Sequence, residues 1–158
     1  MMSTALRTIE FLCLSLWLGS IAFLSFVVAP GAFSVLPGRD VAGTMVSYSL
    51  GRLHLLGLVC GGVLLLARLA RLRGFGGFAA PAMFLVLAMM LLTGVSQFGV
   101  SSRMAQLRRD MGSIEKAGPQ DPRRLEFDRL HQRSVALETG VLLAGLGALY
   151  FLTREATR

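Results

Sequence analysis

The chain contains two histidines, and both lie in or beside long apolar stretches. The sequence FDRLHQRSVALE, residues 127–138, carries His131 and Glu138 seven positions apart and leads into the apolar sequence TGVLLAGLGALYFL. The other histidine, His54, lies within a second apolar stretch. An imidazole and a carboxylate can exchange a proton, hold a cation or bind a metal. Which of these they do depends on the elements that position them.

The composition is that of a membrane protein. The chain has 158 residues, of which 54% are hydrophobic, and its mean hydropathy is +0.63. A soluble domain disperses its apolar residues at helical or strand spacing, whereas here they form continuous blocks. The net charge of +7 comes from basic residues at the block ends, which predicts contact with the lipid bilayer and its anionic head groups. No segment interleaves basic and aromatic residues, so no nucleic acid partner is expected.

Four apolar stretches predict four membrane-spanning helices, because each approaches the length of about 20 residues that crosses the hydrocarbon. We therefore predict an all-α fold, an integral membrane four-helix bundle that forms a single transmembrane domain over residues 1–158. Helices 3 and 4 should extend beyond the bilayer as charged, amphipathic segments. Pro30 should kink the first helix near its end. The predicted helices cover about residues 8–36, 41–69, 81–112 and 122–153.

An even number of spans places both termini on one side of the membrane. The short connection after the second helix carries Arg68, Arg71 and Arg73, and short arginine-rich loops tend to remain in the cytoplasm. We therefore expect cytoplasmic termini, and the inner membrane if the cell is bacterial. The GFGGF sequence, residues 74–78, lacks the phosphate-loop spacing, so we interpret it as a short loop.

Depth along each helix can be counted at about 1.5 Å per residue from the end that faces the arginine-rich connection. On this count His54 lies about 20 Å, Glu138 about 21 Å and Ser25 of the first helix about 22 Å from that end. Because charged groups avoid lipid, these depths predict a polar layer inside the bundle. This candidate ion or proton site consists of His54, Glu138, Arg52, Ser96 and Gln97.

A second candidate site lies nearer to the membrane surface. His131 is about 31 Å from the same end, close to the level of Arg103. It shares a helix face with Glu138, since seven residues make about two turns. The candidate interface site consists of His131, Ser134 and Arg103.

Each of these residues also has a structural interpretation. Glu138 could pair with Arg52 or His54 to fix helix register, Arg52 could extend to the nearer membrane surface, and His131 could be solvated. Arg52 and His54 are two residues apart, so they point in different directions on a regular helix. The GxxxG spacing at 57–61 is typical of close helix packing.

The sequence gives little support for enzymatic, metal or haem chemistry. The sequence has no nucleophile–base pair, no paired catalytic carboxylates and no four-ligand zinc spacing, so it does not favour an enzyme. No cofactor is predicted, and no metal ligands are assigned. Haem b or a metal ion held by His54 and His131 is an alternative, although their depths differ by about 11 Å. Cys13 and Cys60 lie in apolar runs and are interpreted as small buried residues.

Short motifs along the chain resemble a known family. The sequences LWLGSIAFLSFVVAPGAFSVL and FDRLHQRSVALE are similar to the transmembrane protein 205-like family, whose members are small four-span membrane proteins of largely unknown function. The association of the eukaryotic namesake with platinum-drug resistance implies an efflux-related role. Glu138 stands where the family pattern has a polar residue such as asparagine, so the resemblance assigns it no role. The matching positions are Trp17, Gly19, Ala29, Pro30, Phe33, Leu130, His131 and Ser134.

The sequence leaves three functions open. The first is cation or proton permeation, or an efflux-related transport, through the polar layer, for which four spans would need a homo-oligomer. The second is a scaffold or assembly protein without chemistry, in which the charged helix ends at 101–133, including Arg108 and Arg109, bind a membrane protein partner. The third is a redox protein with haem b or a metal ion.

Overall fold

The computed structural model describes residues 2–72 and 80–157, and within these two ranges it contains four long helices and no strand. The all-α prediction is therefore confirmed. Each helix is long and apolar enough to cross a membrane, so the protein is a multi-pass integral membrane protein. Arg73 and the GFGGF sequence, which were predicted to form a connecting loop, lie outside the described residues.

Two of the four helices contain a π-helical segment. Helix α1 consists of Met2–Phe23, the π-helical Leu24–Val28 and Ala29–Val35. Helix α2 is Arg39–Leu72. Helix α3 consists of Pro81–Gly94, the π-helical Val95–Ser101 and Ser102–Met111. Helix α4 is Pro122–Ala156. Helix α1 packs mainly against α2, and α3 packs mainly against α4.

Pro30 explains the π-helical segment of α1. Proline has no N–H to donate, and its ring collides with the carbonyl group four residues earlier, which here belongs to Phe26. The segment Leu24–Val28 widens the helix at this carbonyl, and α1 then continues to Val35. The disturbance predicted at Pro30 therefore takes the form of a widened turn within a continuous helix.

Two glycines of α2 allow α1 to approach closely. A Cβ atom added at Gly57 would overlap the indole ring of Trp17, and one added at Gly61 would lie 3.0 Å from Trp17 and 2.9 Å from Met90 of α3. Trp17 itself is only 1% exposed. The GxxxG spacing thus has the packing role that was predicted for it, because a larger side chain at either position would force the helices apart.

The two ends of the bundle are built differently. Arg7 Nη1 donates a hydrogen bond to the carbonyl of Ala156, so the two chain ends lie together at one end. At the other end the connection after α3 folds back on the start of α2, where the Asp40 carboxylate accepts hydrogen bonds from Ser113 Oγ and from the backbone N–H of Ile114. These contacts hold the four helices in fixed positions around the interior residues.

Candidate functional site

His54 of α2 and Glu138 of α4 contact each other inside the bundle. The Nε2 atom of His54 lies 2.6 Å from Oε1 of Glu138, which is a short hydrogen bond. The other ring nitrogen, Nδ1, lies 2.7 Å from Oε1 of Gln97 on α3. The His54 side chain is fully buried, and that of Glu138 is 14% exposed. Side chains from two neighbouring helices therefore hold both ring nitrogens.

The π-helical segment Val95–Ser101 positions the contribution of α3. Ser96 and Gln97 are consecutive residues, which point about 100° apart on a regular α-helix. Here both reach the same group of side chains, since Ser96 Oγ donates a hydrogen bond to Glu138 Oε1 at 3.3 Å and Gln97 contacts His54. Single π-helical turns occur frequently at functional sites. We call His54, Ser96, Gln97 and Glu138 the polar cluster.

The contacts of His54 favour one placement of its hydrogens. With Oε1 of the Gln97 amide directed toward the ring, this oxygen accepts and Nδ1 of His54 carries the hydrogen. One further proton then lies between Nε2 and Glu138, either on the imidazole or on the carboxyl group, and in both cases the pair has no net charge. Loss of this proton would leave a nitrogen lone pair facing a carboxylate oxygen and a single negative charge inside the bundle. The pair is therefore a binding site for one proton.

The polar cluster is closed on one side and accessible on another. Toward the Leu72 end of α2, the side chains of Trp17, Leu64 and Met89 are buried and pack against one another in the apolar core. In contrast, Gln97 lines an open cleft of about 410 Å³ between α2 and α3. The cleft therefore approaches the polar cluster at Gln97, on the Nδ1 side of His54.

Two residues assigned to the polar layer from their depth face outward instead. Arg52 is exposed, and its guanidinium carbon lies 5.1 Å from the centroid of the Tyr48 ring. Two residues correspond to about 200° of helix rotation, so when His54 faces the bundle, Arg52 faces away from it, and its assignment to this site is wrong. Ser25 of α1 is also exposed. A similar depth is thus necessary for a residue to belong to the polar cluster, but it is not sufficient.

The structure does not assemble the predicted interface site. His131 is exposed, Arg103 forms an ion pair with Glu126 at 2.8 Å, and Ser134 is buried. The buried face of α4 runs through Phe127 and Ser134, and His131 lies off this face. For this reason His131 and Arg103 do not extend the polar cluster to the surface.

A second group of buried charges was not predicted from the sequence. Glu10 of α1 is 1% exposed, and its carboxylate binds Nε of Arg71 at 2.7 Å and Nη1 of Arg68 at 3.3 Å. Arg68 is itself 3% exposed and also binds Glu155 of α4. We call Glu10, Arg68, Arg71 and Glu155 the ion cluster. It joins α1, α2 and α4 near the end of the bundle that carries both chain ends.

Two buried polar atoms lie between the polar cluster and the ion cluster. Nε1 of Trp17 and Oγ1 of Thr93 make no hydrogen bond with any residue that the structure describes. Trp17 packs against Gly57, three residues from His54 in the direction of Arg68. Thr93 precedes Ser96 by three residues on α3. A buried donor without a partner is costly, so these atoms mark a region in which a water molecule could be stabilised.

The haem hypothesis requires an imidazole nitrogen that is free to bind iron. In His54 both nitrogens form hydrogen bonds, and His131 is exposed two helical turns away from Glu138. The two histidines are therefore not placed as a pair of axial ligands. Among residues 2–72 and 80–157, no group of three or more His, Cys, Asp and Glu side chains could hold a metal ion. Cys60 is buried, Cys13 is half-buried, and both are free thiols.

Comparison with known proteins gives one match. A family model described as a domain of unknown function (DUF4149) matches residues 12–113. The matched region contains His54, Ser96 and Gln97, whereas Glu138 lies beyond it. No curated protein and no solved structure matches the chain significantly.

Proposed function

The chain belongs to the DUF4149 family of domains of unknown function, and we propose that it exchanges a proton for a small monovalent cation at the polar cluster within the membrane. The observation that carries this proposal is the 2.6 Å contact between Nε2 of His54 and Oε1 of Glu138. It joins a fully buried imidazole to a mostly buried carboxylate. Ionisable groups inside membrane segments are rare, and they characteristically serve proton and ion pathways.

The proton and the cation would compete for the same site. With the proton bound, the His54–Glu138 pair is neutral, and without it the pair carries a single negative charge, which is costly in apolar surroundings. A small cation restores neutrality. The oxygen atoms of Glu138 and Ser96 lie 3.3 Å apart on the Nε2 side of His54 and would supply ligands once the proton has left, while Gln97 holds the ring through Nδ1. Proton release and cation binding would thus be coupled by charge.

The charge of the polar cluster favours a monovalent cation. The sites that hold calcium or magnesium in proteins combine carboxylates with further oxygen ligands, waters or phosphates. Here one carboxylate, Glu138, acts together with the neutral oxygen of Ser96. A single negative charge balances one positive charge and would leave a divalent ion only half neutralised. We therefore expect sodium or potassium rather than calcium or magnesium.

Access from one side agrees with such an exchange. The cleft beside Gln97 reaches the cluster, while the core residues Trp17, Leu64 and Met89 close the described bundle on the other side. A transporter must open its site to the two sides in turn, and this arrangement has the form of one of the two states. A homo-oligomer is part of the proposal, because four helices in this conformation leave little room for a path through one copy.

The scaffold hypothesis has weaker support. It relied on the charged helix ends at 101–133, where Arg108 is half-buried within the chain itself, whereas Arg109 is exposed. The guanidinium of Arg108 donates to the carbonyl of Asp40 and to Thr44 Oγ1, and it lies 5.5 Å from the centroid of the Phe127 ring. An arginine with these contacts is occupied in holding α3 against α2.

The test is proton movement in vesicles that contain the purified protein and a pH-sensitive dye. When a sodium or potassium gradient is applied, the wild-type protein should change the internal pH. Glu138→Gln keeps a hydrogen-bonding group next to His54 but cannot cycle a proton, so its signal should fall to that of empty vesicles. Glu126→Gln is the matched control, because Glu126 is an exposed acid on the same helix, and it should behave like the wild type.

Two results would contradict the proposal. Either the wild-type protein moves no protons with sodium or potassium, or Glu138→Gln moves them at the wild-type rate. Thermal unfolding separates a third case, in which His54 and Glu138 only fix helix register. A purely structural pair would lose stability in Glu138→Gln in parallel with any lost signal, whereas a proton site loses the signal in a variant that still unfolds near the wild-type temperature.

A further inference from the structure

A second feature of the bundle, the cleft between α2 and α3, faces outward and has a charged wall. Its volume is about 410 Å³, which lies in the lower part of the range of roughly 300–1,000 Å³ found for small-ligand pockets. Tyr48 and Arg52 form one part of the wall, and Leu55, Leu58 and Phe98 form an apolar part. Phe98 and Leu55 are 74% and 56% exposed, so the apolar part is open to a ligand from the lipid.

Arg52 has no acidic partner of its own. In the described parts of the chain, no carboxylate lies within ion-pair distance of its guanidinium, although six other ion pairs are formed there. Arg52 lies about 20 Å along α2 from Arg39 and about 30 Å from Leu72. A helix of this length exceeds the hydrocarbon thickness of about 30 Å by about 20 Å. Whichever end of the helix carries this excess, the Arg52 backbone lies at the edge of the hydrocarbon or inside it, where an anionic partner would stabilise the guanidinium.

The contacts of Arg52 leave its hydrogen-bonding edge available. The guanidinium carbon lies 5.1 Å from the centroid of the Tyr48 ring, and no N–H group of the guanidinium donates a hydrogen bond to the described residues. Its N–H groups lie in the guanidinium plane, and this planar fork matches both oxygens of a carboxylate. Gln97 offers a second donor in the same cleft, because its Oε1 is occupied by His54 while its amide nitrogen makes no hydrogen bond to the described residues.

From these observations we propose that the cleft binds a single-chain amphipathic carboxylate, with its head group on Arg52 and its acyl chain against Leu55, Leu58 and Phe98. Charge complementarity selects the anion, and the exposed apolar wall selects the chain. The modest volume favours one acyl chain over the two chains of a phospholipid. This proposal goes beyond proton and cation exchange and does not depend on it. The two proposals share Gln97 and the cleft, but Arg52 and the apolar wall, which would hold the head group and the acyl chain, lie outside the polar cluster.

The experiment measures equilibrium binding of a radiolabelled long-chain carboxylate to the full-length protein in a nonionic detergent. The wild type should bind it saturably, and Arg52→Gln should weaken binding by about tenfold or more, which is the scale of a lost charge-assisted hydrogen bond. Leu58→Trp, which fills the apolar part of the cleft, should also weaken it. Arg133→Gln is the matched control, because Arg133 is an exposed arginine outside the cleft, on α4, and should bind like the wild type.

Competition identifies the chemistry of the ligand. An alcohol with the same chain should compete at least about tenfold less well than the carboxylate, because it cannot form the ion pair. Equal competition by the alcohol, equal competition by a two-chain anionic phospholipid, or wild-type affinity in Arg52→Gln would overturn the proposal. Glu138→Gln should keep wild-type binding while losing proton exchange, so failure of either proposal can be told from failure of the other.

Discussion

Replacement of Glu10 by glutamine should strongly destabilise the bundle. The Glu10 carboxylate is 1% exposed and is shared by Arg68 and Arg71, whose side chains are 4% and 11% exposed. Arg68 would retain Glu155, which is itself 33% exposed, but Arg71 would lose the only acidic partner it has in the described residues. Removal of one member of a buried ion pair costs about 3–5 kcal/mol, because the remaining charge stays buried without compensation. We expect a loss in this range.

The chain contains a convenient probe for this measurement. Trp17 is its single tryptophan and is 1% exposed, so its fluorescence reports on the loss of packing between α1 and α2. Unfolding by denaturant in detergent, followed at this residue, gives the change in free energy. Glu126→Gln is the matched control, because the Arg103–Glu126 pair is 43% exposed on each side, and exposed pairs contribute little to stability.

A second comparison tests the reasoning inside the ion cluster. Arg68→Gln removes a buried positive charge and leaves Glu10 paired with Arg71, while Glu155 is partly exposed to solvent. It should therefore cost less than Glu10→Gln, which leaves Arg71 without an acidic partner and Arg68 with Glu155 alone. A Glu10→Gln variant as stable as Glu126→Gln, or less damaged than Arg68→Gln, would refute the view that an uncompensated buried charge determines the loss.

Two further predictions concern packing and orientation. Gly57→Leu should cost about 1–3 kcal/mol of unfolding free energy in the same assay, because the new side chain would overlap Trp17. Gly62→Leu should cost much less, since a Cβ at Gly62 meets nothing within 4 Å. Equal losses in the two variants would contradict this packing. Gly118→Cys introduces a thiol in the connection between α3 and α4. If the chain ends are cytoplasmic, this thiol should react with a membrane-impermeant reagent added outside intact cells. Reaction only after cell lysis would show the opposite orientation.

The sequence determines the depth of a side chain in the membrane more directly than the direction in which that side chain points. The rise of about 1.5 Å per residue is nearly constant, so counting from the helix ends places His54, Ser96, Gln97 and Glu138 at similar heights. The direction in which each side chain points depends on how a helix is rotated in the bundle, and apolar residues on all sides of α1 give little indication of this. Counting therefore could not separate His54 from Ser25, which has a similar depth but faces outward.

Local distortion also limits prediction from the sequence. The π-helical segment of α1 is explained by Pro30, which follows it. No proline lies within the segment of α3 or in the helical residues after it, and no sequence motif predicts it. Without this segment, regular helical geometry would separate the directions of Ser96 and Gln97 by about 100°. The joint contacts of these two residues with Glu138 and His54 therefore depend on a feature that only the structure reveals.

The ion cluster was missed because charges near helix ends are common in membrane proteins, where they normally reach water. A signal was nevertheless present. Before Asp110 the chain contains only two acidic residues, Glu10 and Asp40, and Arg68 and Arg71 lie three residues apart on one face of α2. Of the two acids, Glu10 alone lies at the end of the bundle that these arginines occupy. An acid so isolated in an apolar helix indicates a buried partner more strongly than a surface role.

The two clusters and the residues between them suggest how the closed side could open. Trp17 Nε1 and Thr93 Oγ1 are buried without hydrogen-bond partners among the described residues, and each such group costs about 1–3 kcal/mol. Both lie on the side of His54 that faces Arg68. A conformation that admits water beside each atom would satisfy both, and this gain would offset part of the cost of separating Trp17 from Gly57. Relief of these two costs would favour a hydrated connection from the polar cluster toward the ion cluster, which the proposed proton exchange to the second side would require.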